Sequence, residues 1–150
     1  MMTSSDSEAP LRFDLLRGRI QNREGDAFLL LPISVMSELC RSLSSDSLAS
    51  FGYAIGAEIG RRVAGRLANS SGTVADTIAE LGLELATAGF GTLGVEVWGQ
   101  ALVFTLKETP LSFGGGEGVD RADPLLASLL SGILMRAFSR DTNEIGRAHV

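Results

Sequence analysis

Apolar residues recur every three or four positions between Leu48 and Leu67, in the segment LASFGYAIGAEIGRRVAGRL. This is the period of an amphipathic helix. Glycines recur every four positions beside the apolar residues, at Gly52, Gly56 and Gly60. Each glycine inside a helix costs about 1 kcal/mol relative to alanine, so three of them require a compensating contact. The pattern therefore predicts a helix whose glycine face meets another element, either of the same domain or of a second subunit.

Two apolar runs near the start of the chain, residues 11–20 and 27–31, flank a polar stretch with strong turn residues at 24–26. This arrangement predicts a β-hairpin, although the first run, LRFDLLRGRI, could also begin as a helix. Pro32 ends the second predicted strand. Ser34 then caps a short predicted helix with an apolar face.

The middle of the chain predicts a helix followed by a second hairpin. The helix begins at Thr73, has one apolar and one acidic face, and ends near Gly89. Apolar and polar residues then alternate through TLGVEVW and ALVFTLK, which predicts two strands. The two-residue link between them, Gly99-Gln100, fits a type II′ turn because glycine comes first.

The most apolar part of the chain lies near its end. Asp123-Pro124 predicts a helix start, with aspartate as the N-cap and proline in the first helical position. The residues that follow, LLASLLSGILM, carry no charge and make the predicted helix 124–139 apolar almost all round. Such a helix is buried all round, which in a small domain requires a partner surface or a ligand cavity. The glycine-rich segment before it, residues 112–120, has no lysine of a phosphate-binding loop and predicts a surface loop or lid.

The composition fits one globular domain. Of the 150 residues 45% are hydrophobic, the formal net charge is −5, and no run of 18 apolar residues occurs. No basic patch with interleaved aromatics and no polybasic membrane anchor is present, so we expect neither nucleic-acid binding nor a membrane span. Residues 1–10 lack the features of a signal peptide and predict a disordered tail, followed by one domain over 11–150 in the cytoplasm.

Residues suited to catalysis or metal binding are scarce. The chain has one cysteine, Cys40, and one histidine, His149, which together cannot form a four-ligand zinc site. Cys40 lies among apolar residues and is predicted to be a small core residue. Glu80 and Glu84 share the polar face of their helix and are predicted to be solvated. We therefore predict no catalytic residues, no metal and no cofactor, and we do not expect an enzyme.

Four aromatic residues could line an apolar pocket, although most of them could equally be ordinary core. These residues are Phe90, Trp98, Phe104 and Phe138.

The predicted order of elements, β-β-α-α-α-β-β-α, indicates an α+β domain with a helical layer packed on an antiparallel sheet. Three segments in succession, FGYAIGAEIGRRVAGRLA, LGLELATAGFGTLGVEVWGQALVFTL and LLASLLSGILMRAFSR, resemble the 4-vinyl reductase domain family. The resemblance covers about residues 28–140. That family shares its fold with subunits of the transport protein particle (TRAPP) tethering complex, in a fold group that includes ligand-binding domains of nitric oxide signalling and Golgi transport.

The resemblance implies an α+β fold that commonly dimerises through its helices. Members of the family are implicated in binding small hydrophobic molecules, in bacteriochlorophyll synthesis, or in tethering and signalling. Many bacterial members carry cysteines near the apolar helix, and this chain has none there, so a cysteine-based metal or redox site is not implied.

Two functions remain open. The first is a non-enzymatic domain that binds a small hydrophobic ligand as a sensory or regulatory module. The alternative is a TRAPP-like homodimeric scaffold that docks a protein partner and has no ligand. In either case we predict a homodimer with helices at its interface. The residues predicted for close packing or the dimer seam are Gly52, Gly56, Gly60, Leu126, Leu130 and Ile133.

Overall fold

The computed structural model describes residues 9–68, 72–111, 119–138 and 148–149. The helices in these ranges are α1 (Ile33–Ser42), α2 (Ser45–Leu67), α3 (Val74–Thr87) and α4 (Val119–Ala137). The strands are β1 (Leu11–Asp14), β2 (Arg19–Asn22), β3 (Ala27–Phe28), β4 (Thr92–Trp98), β5 (Ala101–Lys107) and β6 (Ala148–His149). The predicted α+β class is confirmed. Residues 1–8 of the predicted tail and residues 112–118 of the predicted glycine-rich loop lie outside the described ranges.

The chain divides into two compact units, one ending at Pro32 and one beginning at Ile33. In the first unit, β1, β2 and β3 form an antiparallel sheet in that order. The prediction of one strand over residues 11–20 is wrong, because the chain turns back between β1 and β2. The Asp14 carboxylate accepts a hydrogen bond from the Arg17 backbone N–H at 3.1 Å, and Gly18 has a φ of 61°. Both features are typical of a tight turn.

Side-chain caps fix the starts of two helices in the second unit. The Ser44 hydroxyl accepts a hydrogen bond from the Ser47 N–H at 3.2 Å and caps α2. At α3, the Thr73 hydroxyl accepts from the Asp76 N–H at 3.2 Å, while the Asp76 carboxylate accepts from the Thr73 N–H at 2.9 Å. This reciprocal pair is a capping box, and it confirms Thr73 as the start of the predicted helix.

The β4–β5 hairpin has the predicted boundaries and turn. Trp98 pairs with Ala101, which leaves Gly99 and Gln100 as the two-residue link. Gly99 has a φ of 65°, and among the described non-glycine residues only Glu108 has a positive φ. Gln100 therefore has a negative φ, as a type II′ turn requires. The short strand β6 runs parallel to β5.

Helix α4 begins at Val119, so the predicted N-cap at Asp123 is wrong and Pro124 lies inside the helix. The first four N–H groups of a helix have no intrahelical partner, and Pro124 is the sixth residue of α4, two positions beyond them. The proline therefore removes only one backbone hydrogen bond of the helix. None of the described helices combines the length and the apolar character needed to cross a membrane.

The core of the second unit forms around α4. Leu125, Leu126, Leu129, Leu130 and Ile133 are each at most 1% exposed. They belong to one cluster with apolar residues of α2, α3 and β5, which are Leu48, Ile59, Val63, Leu81, Leu85 and Leu106.

Candidate functional site

The backbones of α2 and α4 approach each other closely. Gly52 faces the carbonyl of Leu125, and Gly56 faces the carbonyl of Leu129. A Cβ atom on either glycine would come within 3.0 Å of α4 backbone atoms, a distance that real Cβ atoms do not show. Only glycine allows this contact.

The same contact continues along both helices. Gly60 faces the carbonyl of Ile133, where a Cβ atom would lie 2.7 Å from the oxygen. Both helices therefore advance by four residues from one contact to the next, so they run parallel to each other. From the α4 side, a Cβ on Gly132 would lie 2.8 Å from the backbone nitrogen of Ala57. Glycines of both helices thus allow the close contact.

The residues predicted for close packing or a dimer seam are all buried in contacts within a single chain. Gly52, Gly56 and Gly60 contact α4 as described above. Leu126, Leu130 and Ile133 are 0%, 1% and 1% exposed, respectively, and belong to the core cluster. A dimer, if it forms, therefore uses other residues as its exposed contact surface.

The four aromatic residues considered for a ligand pocket differ widely in burial. Phe104 is 1% exposed in the core, and Phe90 and Phe138 pack against the core cluster while partly exposed. Trp98 is 64% exposed, and its indole N–H donates to the Glu96 carboxylate at 3.0 Å. Phe90 lies just before the first residue of β4, Thr92, and Trp98 is the last residue of that strand. The length of the strand therefore separates Trp98 from Thr92 by about 20 Å.

Two clusters of charged residues have a structural role. Arg61 donates to the Glu58 carboxylate at 2.6 and 3.0 Å, and Arg62 donates to it at 3.2 Å. These hydrogen bonds, chiefly the one from Arg61, lower the pKa of Glu58 to about 2. The Glu58 side chain is partly exposed, and its ion pairs with Arg61 and Arg62, three and four residues further along α2, stabilise this helix.

The second cluster joins α2 to α3. Arg66 donates to Glu84 at 2.6 Å and lies 3.7 Å from Glu80. The prediction that both glutamates are merely solvated is therefore incomplete, because they bind Arg66 of α2 and so link α3 to α2. The sequence carries no signal for this pairing, since Arg66 and Glu84 are 18 residues apart.

Cys40 is 4% exposed, and burial raises the pKa of its thiol. A buried thiol with a raised pKa is a poor nucleophile, in keeping with its predicted role as a core residue. Within the part of the chain that the structure describes, no group of three histidine, cysteine, aspartate or glutamate side chains could hold a metal ion.

A surface feature that the sequence analysis did not identify lies on the outer side of α1. An open groove of about 360 Å³ is lined by Ser34, Val35, Glu38, Leu39 and Ser42. These five residues, called the α1 groove below, occupy one face of the helix at spacings of one and four.

The opposite side of α1 faces the core, where Cys40 is buried and Met36 packs against the core cluster. On the outer side, Val35 is 43% exposed and Leu39 is half-buried. Helix α1 is therefore apolar on two sides, and only one of them is covered. The sequence pattern shows how wide the apolar arc is, but not how much of it the core covers.

Comparison of the chain with known protein families, with curated proteins and with solved structures finds no match. The resemblance to the 4-vinyl reductase domain family therefore stays a prediction from the sequence.

Proposed function

We propose that this protein is a non-enzymatic interaction module that pairs with a second copy of itself through the outer side of α1. The observation that carries the proposal is the α1 groove, whose apolar side chains are open to solvent although the helix is already anchored by its other side. Apolar patches on a protein surface commonly mark sites of association. Val35 and Leu39 supply the apolar centre of the groove.

The charges beside the groove favour a second copy as the occupant. Glu38 and Arg41 are three residues apart on α1 and form an ion pair of 2.8 Å within the chain. When two α1 helices cross about a two-fold axis, the same patch meets itself. Glu38 of each copy can then pair with the arginine of the other. The resemblance noted above, which implies dimers formed through helices, supports the same arrangement.

The alternative, a pocket for a small hydrophobic ligand, has less support. The sequence arguments for it are the family resemblance, which also implies hydrophobic ligands, and the apolar circumference of α4. Contacts with α2 and with the core cluster account for that apolar surface without a cavity. The aromatic residues that would line the pocket are dispersed, as described for Trp98.

Light scattering coupled to size exclusion tests the proposal. At micromolar concentration we expect a species of twice the chain mass of 15.8 kDa. Val35→Glu should shift it to the monomer, because a charge in the groove would be desolvated by the partner. Val74→Glu is the matched control, since Val74 is 57% exposed on α3 and lies outside the groove. A wild-type monomer, or a Val35→Glu variant that remains dimeric, would contradict the proposal.

A charge exchange gives a second test of the same surface. Glu38→Arg alone, or Arg41→Glu alone, should weaken the dimer because each places like charges opposite one another. The double variant Glu38→Arg/Arg41→Glu should restore it. Failure of the double variant to regain the dimeric mass would show that this pair does not cross the interface.

A further inference from the structure

The turn between β1 and β2 exposes two adjacent leucines. Leu15 is 88% exposed and Leu16 is 100% exposed, which is unusual for large apolar side chains. They belong to a four-residue turn, Leu15-Leu16-Arg17-Gly18, called the β1–β2 tip below. Turns of this kind normally carry polar residues, so the leucines serve neither the turn nor a core.

Arginines surround the tip. Arg12, Arg17 and Arg19 lie on the turn and on the two strands that lead to it, and all three are exposed. With Asp14 as the one acidic residue over 11–22, this hairpin carries a net charge of +2, whereas the whole chain carries −5. The Arg17 Nε lies 3.9 Å from the Asp14 Oδ2, which is a long ion pair, and the Arg17 side chain is 75% exposed. The hairpin thus combines exposed apolar side chains with a net positive charge, in a chain whose net charge is negative.

We propose that the β1–β2 tip docks on the surface of membranes that contain anionic lipids. Leu15 and Leu16 would enter the boundary between head groups and acyl chains, and the three arginines would lie at the level of the lipid phosphates. Apolar residues flanked by basic residues are the combination that binds anionic leaflets peripherally. This binding does not require a membrane span, and it uses a different surface from the α1 groove.

The shape and composition of the tip favour a lipid surface over a protein partner. A turn is convex, so a protein would need a matching pocket to cover both leucines, whereas a bilayer interface adapts to them. The charge of the hairpin matches the negative surface potential of anionic membranes.

Vesicle flotation with the full-length chain is the direct test. We expect the protein to float with phosphatidylcholine vesicles that contain about a quarter phosphatidylserine, and to bind vesicles of phosphatidylcholine alone about tenfold more weakly. Leu15→Ser/Leu16→Ser should lower binding to the anionic vesicles by about tenfold or more. Leu29→Ser is the matched control, because Leu29 is 89% exposed but lies outside the tip. It should bind as the wild type does.

A second pair of variants separates charge from apolar insertion. Arg17→Gln/Arg19→Gln should weaken binding to the anionic vesicles and reduce its sensitivity to salt. Arg136→Gln, at an exposed position of α4, should leave binding unchanged.

A fluorescent reporter shows insertion without relying on a loss of binding. The chain has one tryptophan, so Trp98→Phe/Leu16→Trp places a single indole at the tip. Its emission should shift to the blue on anionic vesicles, and brominated lipids should quench it.

Three results would overturn the proposal. One is a wild-type protein that does not float with anionic vesicles. Another is a Leu15→Ser/Leu16→Ser variant that binds as tightly as the wild type. The third is a reporter whose emission stays unshifted while the protein floats. If the wild type binds no vesicle and the Leu15→Ser/Leu16→Ser variant changes mass in light scattering, the tip contacts protein instead.

Discussion

The backbone of Gly56 in α2 lies directly against the carbonyl group of Leu129 in α4, with no room for a side chain between them. This contact explains why α2 carries glycines that weaken it as an isolated helix. Many close contacts between backbone atoms gain dispersion energy that larger side chains would prevent. The glycine face predicted from the sequence is therefore a packing surface for another helix of the same chain.

The first prediction compares two glycines of the same helix. Gly56→Ala should lower the free energy of unfolding by about 2–4 kcal/mol, because the added methyl group meets backbone atoms that cannot move aside. Gly65→Ala should raise it by about 0.5–1 kcal/mol, because no atom lies within 4 Å of the new Cβ and alanine favours the helix. Urea denaturation measures both. Equal effects of the two substitutions would contradict the described contact.

The second prediction concerns the β4–β5 turn. Gly99→Val should lower the free energy of unfolding by more than about 1 kcal/mol, because a β-branched residue is strained at a φ of 65°. Nothing lies within 4 Å of a Cβ at this position, so the effect comes from the backbone conformation alone. Gln100→Val, one position later and at negative φ, should have a smaller effect on the denaturation midpoint. The reverse order would mean that the turn is of another type.

The third prediction concerns pH and follows from Glu58. Its pKa is lowered to about 2 in the folded protein from an ordinary value of 4.5, chiefly by the hydrogen bond from Arg61. A lowered pKa stabilises the folded state above pH 4.5, and this contribution is lost as the pH falls from 4.5 towards 2. The Glu58 side chain is 45% exposed, so solvent screening limits the effect to about 0.5–1 kcal/mol.

Glu58→Gln should therefore destabilise the protein at neutral pH, and the difference from the wild type should shrink as the pH falls below 4.5. Urea midpoints at a series of pH values measure this. Glu108→Gln, at an exposed position after β5, serves as the control for removing one negative charge. A difference that stays constant with pH would show that Glu58 acts through packing and not through its charge.

The fourth prediction concerns Cys40. Because the thiol is buried and its pKa is raised, a thiol reagent should react with the native protein far more slowly than with the urea-unfolded chain. The native rate should follow local opening of α1 and rise with low concentrations of urea. Rapid labelling of the native protein at neutral pH would show that α1 is not held against the core.

The elements that the sequence predicted well are those whose signals are local. Thr73 and Asp76 form their capping box within one turn of helix, and Gly99 determines the hairpin turn by its own conformation. The apolar residues of α4 likewise predict burial from their number alone. Such features depend on residues that are close in the sequence, so the pattern is sufficient to reveal them.

The features that the sequence did not predict depend on contacts between distant residues or on residue types that are unusual for their position, such as leucines in a turn. The run over 11–20 reads as one strand because Leu15 and Leu16 continue its apolar pattern through what is in fact a turn. The pairing of Arg66 with Glu84 joins helices whose relative position the sequence does not give. The exposure of Val35 likewise depends on how far the core extends around α1.

The contact between α2 and α4 also bears on how the protein is made. In the chain, α3 and the β4–β5 hairpin lie between the two helices, so α2 leaves the ribosome well before its main packing partner exists. A helix weakened by glycine is marginal until that partner arrives, and contacts between distant segments form slowly. Chains whose synthesis stops before residue 119 would therefore expose the glycine face and much of the core to aggregation and proteolysis.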